Sequence, residues 1–167
     1  IHEKGLMHLK LRLYETPEEV TLLTGSLNPN QSSAANEENL HLIRDPSIVA
    51  AYAAAYDAVL DGTGLHNTWD DAAPINVLFA PAASGPRAAD KMLDWLAEEE
   101  EQILLMVFSL RNVSSPNRDR DLVSILAERA AAGVDVVVIT DRKQSDGVDL
   151  QGNTVFWDDT MDDRLRE

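Results

Sequence analysis

The chain has 167 residues, of which 44% are hydrophobic and 26% charged, and this balance is typical of a globular protein. Its formal net charge of -15 weighs against a protein that follows a nucleic-acid backbone, because such proteins usually present a basic face. The absence of cysteine excludes a disulfide framework and a thiolate metal site. The apolar runs are too short to span a bilayer, so we expect a soluble protein.

The compartment is not determined by the sequence. No signal peptide is visible, and the lack of cysteine is compatible with a reducing compartment as well as with the outside of the cell. The chain starts with Ile1 and not with methionine, so a secretion signal removed from a longer product would leave no trace. Secretion therefore stays an open alternative.

The first part of the chain predicts three strands followed by a helix. Residues 6–14 predict a strand, because polar and apolar residues alternate from residue 7 to residue 14, as they do in a strand with one buried face. The short turn after it makes residues 20–24 an antiparallel neighbour, and residues 40–43 predict a third strand. Asp45 followed by a proline is a helix start, and the apolar spacing after it predicts a helix that reaches Leu60.

The second part predicts a β-α-β-α-β order after a linker at residues 61–74, which contains several Gly, Asp and Asn residues. The predicted elements are, in order, a strand at 75–80, a helix at 87–102, a strand at 103–110, a helix that starts at Asp119 or Asp121 and closes at Gly133, and a strand at 134–140. The apolar run at 103–110 predicts a strand covered on both faces. Residues 141–144 leave the last strand at its carboxyl end, where α/β sheets place ligands, and residues 161–167 predict a helical turn. The sequence thus predicts an α/β protein in two parts.

The residues with the clearest chemistry lie in the first part. On the predicted strand, His8 and Lys10 share one face because side chains alternate along a strand. Gly25 and Ser26 begin a turn after the next strand, and Asn28 lies two residues further on. A reactive imidazole, an ammonium and an amide donor, and a glycine that allows close backbone approach together suit a phosphate site. A single histidine on a strand more often has a structural role and only makes a hydrogen bond. The combination of His8, Lys10, Ser26 and Asn28 at these spacings favours phosphate chemistry.

Eight residues resemble the HKD motif of the phospholipase D superfamily and the Asn-x-Glu that follows it: His8, Lys10, Glu15, Gly25, Ser26, Asn28, Asn36 and Glu38. The chain departs from that motif in two ways. Glu15 stands where the family has Asp, and more residues than usual separate it from Gly25, so the turn between them is lengthened. The resemblance covers most of the chain, but only its first part carries specific motifs.

The resemblance implies a phospholipase D-like mixed sheet flanked by helices and built from parts of two repeats. Residues 1–60 resemble the closing part of a first repeat, and residues 75–167 resemble the opening part of a second repeat, whose HKD motif is absent. In this superfamily two HKD motifs meet at one active site. The chain is then a processed piece or part of a longer enzyme, or another chain supplies the second motif, for example a second copy in a homodimer.

The family's chemistry is implied in the same way. One histidine attacks phosphorus and forms a phosphohistidine, and the other protonates the leaving alcohol and then activates water or an acceptor alcohol. His8 takes one of these roles, and the sequence leaves open which one. Lys10 and Asn28 are implied as donors that hold the phosphoryl oxygens. This chemistry needs no cofactor and no metal ion, and we interpret His66 and Asp70 as part of a solvated loop and not as metal ligands.

Four residues have supporting roles in this interpretation. Gly25 lets the backbone approach a ligand, and Ser26 either contacts phosphate or only shapes the turn. Glu38 is expected to hydrogen-bond an active-site histidine and orient it. Glu15 is expected to orient its neighbours or to form a local salt bridge.

The leading hypothesis is a phosphodiester hydrolase or transphosphatidylase, a phospholipase D that acts on phospholipids. A nuclease of the same superfamily is the second hypothesis, and the acidic balance of the chain makes nucleic acid the less favoured substrate. The third hypothesis is a non-catalytic binding or scaffold fragment that keeps the fold and one motif. The expected partners are a phospholipid or other phosphodiester substrate and the segment or chain that carries the second motif.

Overall fold

The computed structural model describes residues 8–30, 36–110 and 113–141, and within them it contains five strands and three helices. In chain order these are β1 (Leu11–Glu15), β2 (Val20–Gly25), β3 (Leu40–Ile43), α1 (Pro46–Asp61), α2 (Ala88–Glu98), β4 (Gln102–Val107), α3 (Leu122–Ala131) and β5 (Asp135–Thr140). The protein is therefore of mixed α/β class, as the sequence predicted.

The chain divides into two compact units, Ile1–Arg87 and Ala88–Glu167. The predicted linker, residues 61–74, belongs to the first unit, and the assignment of the two parts of the chain to two repeats stays a prediction. The predictions for residues 142–167, including the helical turn at 161–167, lie outside the described residues.

The first unit contains an antiparallel sheet with the strand order β1-β2-β3. Leu22 in the central strand lies opposite Leu13 on one side and Ile43 on the other. These three side chains face α1, where Leu22 is completely buried with Ile48 and Val49. Apolar residues at every second strand position thus make the buried face of this sheet, as the alternation predicted.

Helix α1 begins where the sequence predicted. The Asp45 carboxylate accepts hydrogen bonds from the backbone N–H groups of Ser47 at 2.9 Å and Ile48 at 3.2 Å, which satisfies two of the donors that a helix start leaves open. The helix ends at Asp61, and the next residue, Gly62, has a φ of 70°, the left-handed conformation of a common helix C-cap.

The segment that follows α1 has a different structure from the predicted one. Residues 75–80 do not form a strand, and the prediction of a strand there is wrong. The Phe79 backbone N–H donates to Oδ1 of Asn67 at 2.7 Å instead of to a neighbouring strand. The Phe79 ring packs edge-to-face on Tyr52 of α1, with the ring centres 5.2 Å apart. The apolar segment at 75–80, whose composition predicts a strand, thus packs on α1 instead.

The second unit contains a parallel pair of strands, β4 and β5, with Ile103 opposite Val136 and Leu105 opposite Val138. Helices α2 and α3 cover one face of this pair. The core between them is apolar and consists of Leu93, Ile103, Leu110, Leu122, Ile125, Leu126 and Val134. Of the two predicted starts for α3, Asp121 is the one that caps it, accepting from the Ser124 N–H at 2.8 Å.

The other face of the β4–β5 pair carries exposed apolar side chains in the described part of the chain. Leu104, Met106 and Ile139 are 64%, 75% and 53% exposed. The prediction of a strand covered on both faces is therefore wrong for the described part of the chain, because α2 and α3 pack on the same side.

The boundary between α2 and β4 also differs from the prediction. Helix α2 ends at Glu98 and β4 begins at Gln102, because the Glu99 carboxylate accepts from the N–H groups of Glu101 at 2.9 Å and of Glu100 at 3.1 Å. These backbone hydrogen bonds, that from Glu101 most of all, lower the pKa of Glu99. Glu99, Glu100 and Glu101 thus form the connection between the helix and the strand.

Candidate functional site

The register of the first sheet brings three pieces of the predicted motif to one end. Leu11 lies opposite Thr24, and Gly25 lies opposite Leu40. The start of β1, the end of β2 and the start of β3 are therefore neighbours. His8 and Lys10 precede the first of these strand ends, Ser26 follows the second, and Asn39 precedes the third.

His8 and Lys10 lie before the strand and not on it. β1 starts at Leu11, so the prediction that the strand already includes residues 8–10 is wrong, and alternation does not place these two side chains on one face. The Lys10 backbone is nevertheless fixed, because its carbonyl accepts from the buried Thr24 hydroxyl at 2.8 Å. Lys10 Nζ donates to the His8 carbonyl at 2.7 Å, and His8 is exposed.

Ser26 and Asn39 clamp the ends of β2 and β3 together. The Ser26 N–H donates to Asn39 Oδ1 at 3.0 Å and to its carbonyl at 3.2 Å, and the Asn39 N–H donates to Ser26 Oγ at 2.9 Å. Ser26 thus shapes the turn, which is one of the two roles predicted for it. Its hydroxyl can still donate its own proton, because an oxygen that accepts one hydrogen bond keeps its O–H.

Gly25 makes this clamp sterically feasible. Its φ is +145°, and a Cβ built on it would lie 2.3 Å from the Asn39 carbonyl oxygen. The close approach that glycine allows here is therefore to the protein's own chain. Sequence reasoning did not single out Asn39, and the available signal was an amide immediately before a predicted strand, one residue after Glu38.

The remaining predicted residues are placed differently from one another. The Asn28 carbonyl accepts from the Asn30 N–H at 2.8 Å, in the turn after Ser26. Glu38 Oε1 accepts from Asn36 Nδ2 at 3.3 Å, so the two ends of the Asn-x-Glu pattern contact each other. Glu15 lies opposite Val20, at the far end of β1, and four residues of strand separate it from the start of β1 by roughly 13 Å. The sheet therefore does not bring Glu15 to the other candidates.

The loop with His66 has its own hydrogen bonds. His66 Nδ1 lies 2.6 Å from Ser84 Oγ. Asp71 Oδ1 accepts from Trp69 Nε1 at 2.6 Å, and Asp70 Oδ1 accepts from the Ala72 N–H at 2.9 Å. Among the described residues no group of three or more His, Asp and Glu side chains is arranged to hold a metal ion.

The second unit has a cleft of about 240 Å³ between α2 and the loop before α3. Arg118 lines it and donates from Nε and Nη2 to the two Asp94 carboxylate oxygens, both at 2.6 Å. This hydrogen bonding lowers the pKa of Asp94 and raises that of Arg118. Arg120, which also lines the cleft, pairs with Glu128 at 2.7 Å. Both guanidinium groups already have carboxylate partners, so the cleft is a weaker anion site than its two arginines suggest.

The described helices include none with the length and apolar character that a bilayer-spanning helix requires. Comparison of the chain with protein-family models, with curated proteins and with solved structures finds no match.

Proposed function

We propose that this chain is part of a phosphodiester hydrolase or transphosphatidylase of the phospholipase D kind, acting on phospholipids. The observation that carries the proposal is the meeting of three strand ends, which puts the segments of His8, Lys10 and Ser26 at one end of a sheet. An imidazole, an ammonium and a hydroxyl donor on adjacent strand ends suit the binding and transfer of a phosphoryl group.

His8 is the proposed reacting group. Its exposed imidazole either attacks phosphorus, forming an N–P bond as the P–O bond to the alcohol breaks, or gives its proton to that alcohol. The second histidine takes the other role and comes from a segment outside these residues or from another chain. Water or an acceptor alcohol then attacks phosphorus and breaks the N–P bond. The reaction is a hydrolysis when the acceptor is water and a transfer when it is an alcohol.

Lys10 and Ser26 are proposed to hold the phosphoryl oxygens, with Asn28 in the adjoining turn as a further donor. Lys10 Nζ bonds a neutral carbonyl in the unliganded chain, and a hydrogen bond between an ammonium and an anionic oxygen is the stronger of the two. A phosphate at this end of the sheet therefore competes well for the ammonium. Ser26 can donate its hydroxyl proton without breaking the clamp to Asn39.

The finer fold is proposed on the same basis. The first unit corresponds to the closing part of one phospholipase D-like repeat and the second to the opening part of the next. Strands β4 and β5 are parallel, and α3 connects them along the chain, which supports this assignment. The antiparallel sheet of β1, β2 and β3 before them supports it as well.

The test is an assay of the full gene product on phosphatidylcholine with a chelator present. We expect release of the head group, and we expect His8→Ala to reduce the rate by about a thousandfold or more, because removal of a nucleophile or of a general acid has effects of this size. The matched control is His41→Ala. His41 is an exposed histidine of β3 in the same sheet, and its removal should leave the rate within a factor of about two. Full activity in His8→Ala would remove the proposed site, and loss of activity with chelator would contradict the metal-free mechanism.

A non-catalytic binding or scaffold role is the second candidate. It is favoured by the internal use of the Lys10 ammonium and the Ser26 hydroxyl, which bond the His8 carbonyl and the Asn39 N–H. In that case neither phosphatidylcholine nor single-stranded DNA, assayed in parallel for the nuclease alternative, is cleaved by the unmodified protein.

A further inference from the structure

The face of the first sheet that points away from α1 has an unusual composition for so acidic a protein. The row Leu13–Leu22–Ile43 is buried against α1, and side chains alternate along each strand. The neighbouring positions therefore point to the opposite side, which we call the outer face. Within β1, β2 and β3 the outer face carries Arg12, Tyr14, Thr21, Leu23, Leu40 and Leu42.

This outer face combines exposed apolar groups with one positive charge. Leu40 and Leu42 are 50% and 56% exposed, and Tyr14 is 52% exposed. Arg12 lies in the same row as Leu23 and Leu42. None of the six outer-face residues is acidic, although the chain contains 29 Asp and Glu and carries a net charge of -15. Arg12 is the one charged residue among these six, so the charge on this face is opposite in sign to that of the protein as a whole.

We propose that the outer face binds the surface of a membrane that contains anionic phospholipids. A basic side chain next to such a surface is attracted to its negative potential, and leucine and tyrosine side chains gain free energy when they enter the boundary between head groups and acyl chains. Because the outer face includes Leu40, the first residue of β3, it extends to the sheet end that carries His8 and Lys10. The inference goes beyond the proposed function, since binding requires neither His8 nor turnover.

Charge and side-chain type together favour a lipid surface over single-stranded nucleic acid as the anionic partner. Single-stranded nucleic acid is held by aromatic rings on which bases stack and by several basic groups along the backbone. The outer face offers one tyrosine and three leucines, and leucine has no ring on which a base can stack. The acidic remainder of the chain would also repel a long polyanion, whereas a bilayer meets only the face turned towards it.

The test measures binding of the full chain to sedimenting vesicles without any turnover readout. We expect binding to an equal mixture of phosphatidylcholine and phosphatidylserine, weaker binding to phosphatidylcholine alone, and a loss at high salt because the charge component is screened. Arg12→Ala should weaken binding by about fivefold. The double variant Leu40→Ser with Leu42→Ser should weaken it by about tenfold or more.

Two controls separate this face from general effects of charge and hydrophobicity. Leu60→Ser removes a leucine of α1 that is 72% exposed, and Arg87→Ala removes an exposed arginine of the same unit. Both controls should bind like the unmodified chain, and because the assay measures binding without turnover, its result is independent of the proposed function. Thermal unfolding of each variant identifies loss of folding, and Arg12→Glu provides a second test that leaves both leucines in place. Unchanged binding in Arg12→Glu, no vesicle binding at all, or binding of single-stranded DNA in preference to vesicles would each overturn the proposal.

Discussion

Asn67 illustrates how one side chain can organise a segment without regular secondary structure. It is 5% exposed, and Nδ2 donates to the carbonyls of Phe79 at 3.0 Å and of Pro86 at 2.8 Å while Oδ1 accepts from the Phe79 N–H at 2.7 Å. Asn67→Ala removes the partner of the buried N–H and carbonyl of Phe79 and of the partly buried carbonyl of Pro86. We expect the free energy of unfolding to fall by about 3 kcal/mol, measured by urea denaturation.

Asn76→Ala is the matched control for this prediction. Asn76 also makes two side-chain hydrogen bonds, to the N–H of Asp70 at 3.0 Å and to its carbonyl at 2.9 Å. Asp70 is exposed, so water can replace the lost partner and the expected loss is about 1 kcal/mol or less. Equal losses in the two variants would show that burial is not what makes Asn67 important.

Single residues were predictable from sequence where their partners are close along the chain. Asp45 bonds groups two and three residues away, so a cap followed by proline was enough to place it. Asn67 bonds Phe79 and Pro86, which are 12 and 19 residues away, and nothing in its own neighbourhood indicates this. Asn39 is similar, because its partner Ser26 is 13 residues distant and is brought near only by the pairing of β2 with β3.

At the scale of the element, helix α1 should depend on pH through its first turn. The hydrogen bond from the Ser47 hydroxyl, followed by that from the Ile48 N–H, lowers the pKa of Asp45. A carboxyl whose pKa is lowered in the folded state contributes stability above its ordinary pKa of about 3.9 and loses that contribution as the pH falls through the lower, folded value. The thermal midpoint of the unmodified chain should therefore decline in acid more than that of Asp45→Asn.

Asp45→Asn is the informative comparison because asparagine also caps helices but does not titrate. All other carboxyl groups are common to both proteins, so their titration cancels in the difference between the two midpoints, followed by the helical circular dichroism signal. Asp45→Ala, which removes the cap altogether, should melt below both at neutral pH. A difference between the unmodified chain and Asp45→Asn that stays constant with pH would refute the role of the Asp45 charge.

Whole elements were predictable from sequence when local pattern and packing agree. The three strands of the first sheet and α1 show alternation, a turn or a cap, and they form. The strand predicted at 75–80 has the right composition, but its backbone bonds the Asn67 side chain and its Phe79 ring covers α1. For the candidate site, the sequence identified the segments of His8, Lys10 and Ser26, and the sheet register is what makes them neighbours. The register also places Glu15 at the opposite end of the sheet, and the spacing of residues along the chain could not reveal this.

At the scale of the whole molecule, the two compact units have separate cores. Leu22 is fully buried in the core of the first unit with Ile48 and Val49, and Leu126 is fully buried in the core of the second with Leu93 and Ile103. No residue is shared between these two clusters. We therefore expect that one unit can unfold while the other stays folded. Leu22→Ala and Leu126→Ala should each destabilise the unit that contains it by about 3 kcal/mol, because each leaves a cavity in a closed core.

Hydrogen exchange followed by mass spectrometry can test this expectation peptide by peptide, since local opening exposes amides in proportion to the stability of the unit they belong to. Leu22→Ala should speed exchange in β1, β2 and β3 and leave β4 and β5 at the rate of the unmodified chain, whereas Leu126→Ala should do the reverse. Each variant is thus the control for the other, because the two substitutions are chemically identical and both sites are 0% exposed. If either substitution speeds exchange equally in both sheets, the chain opens as one cooperative body, and the division into two units then describes contacts but not stability.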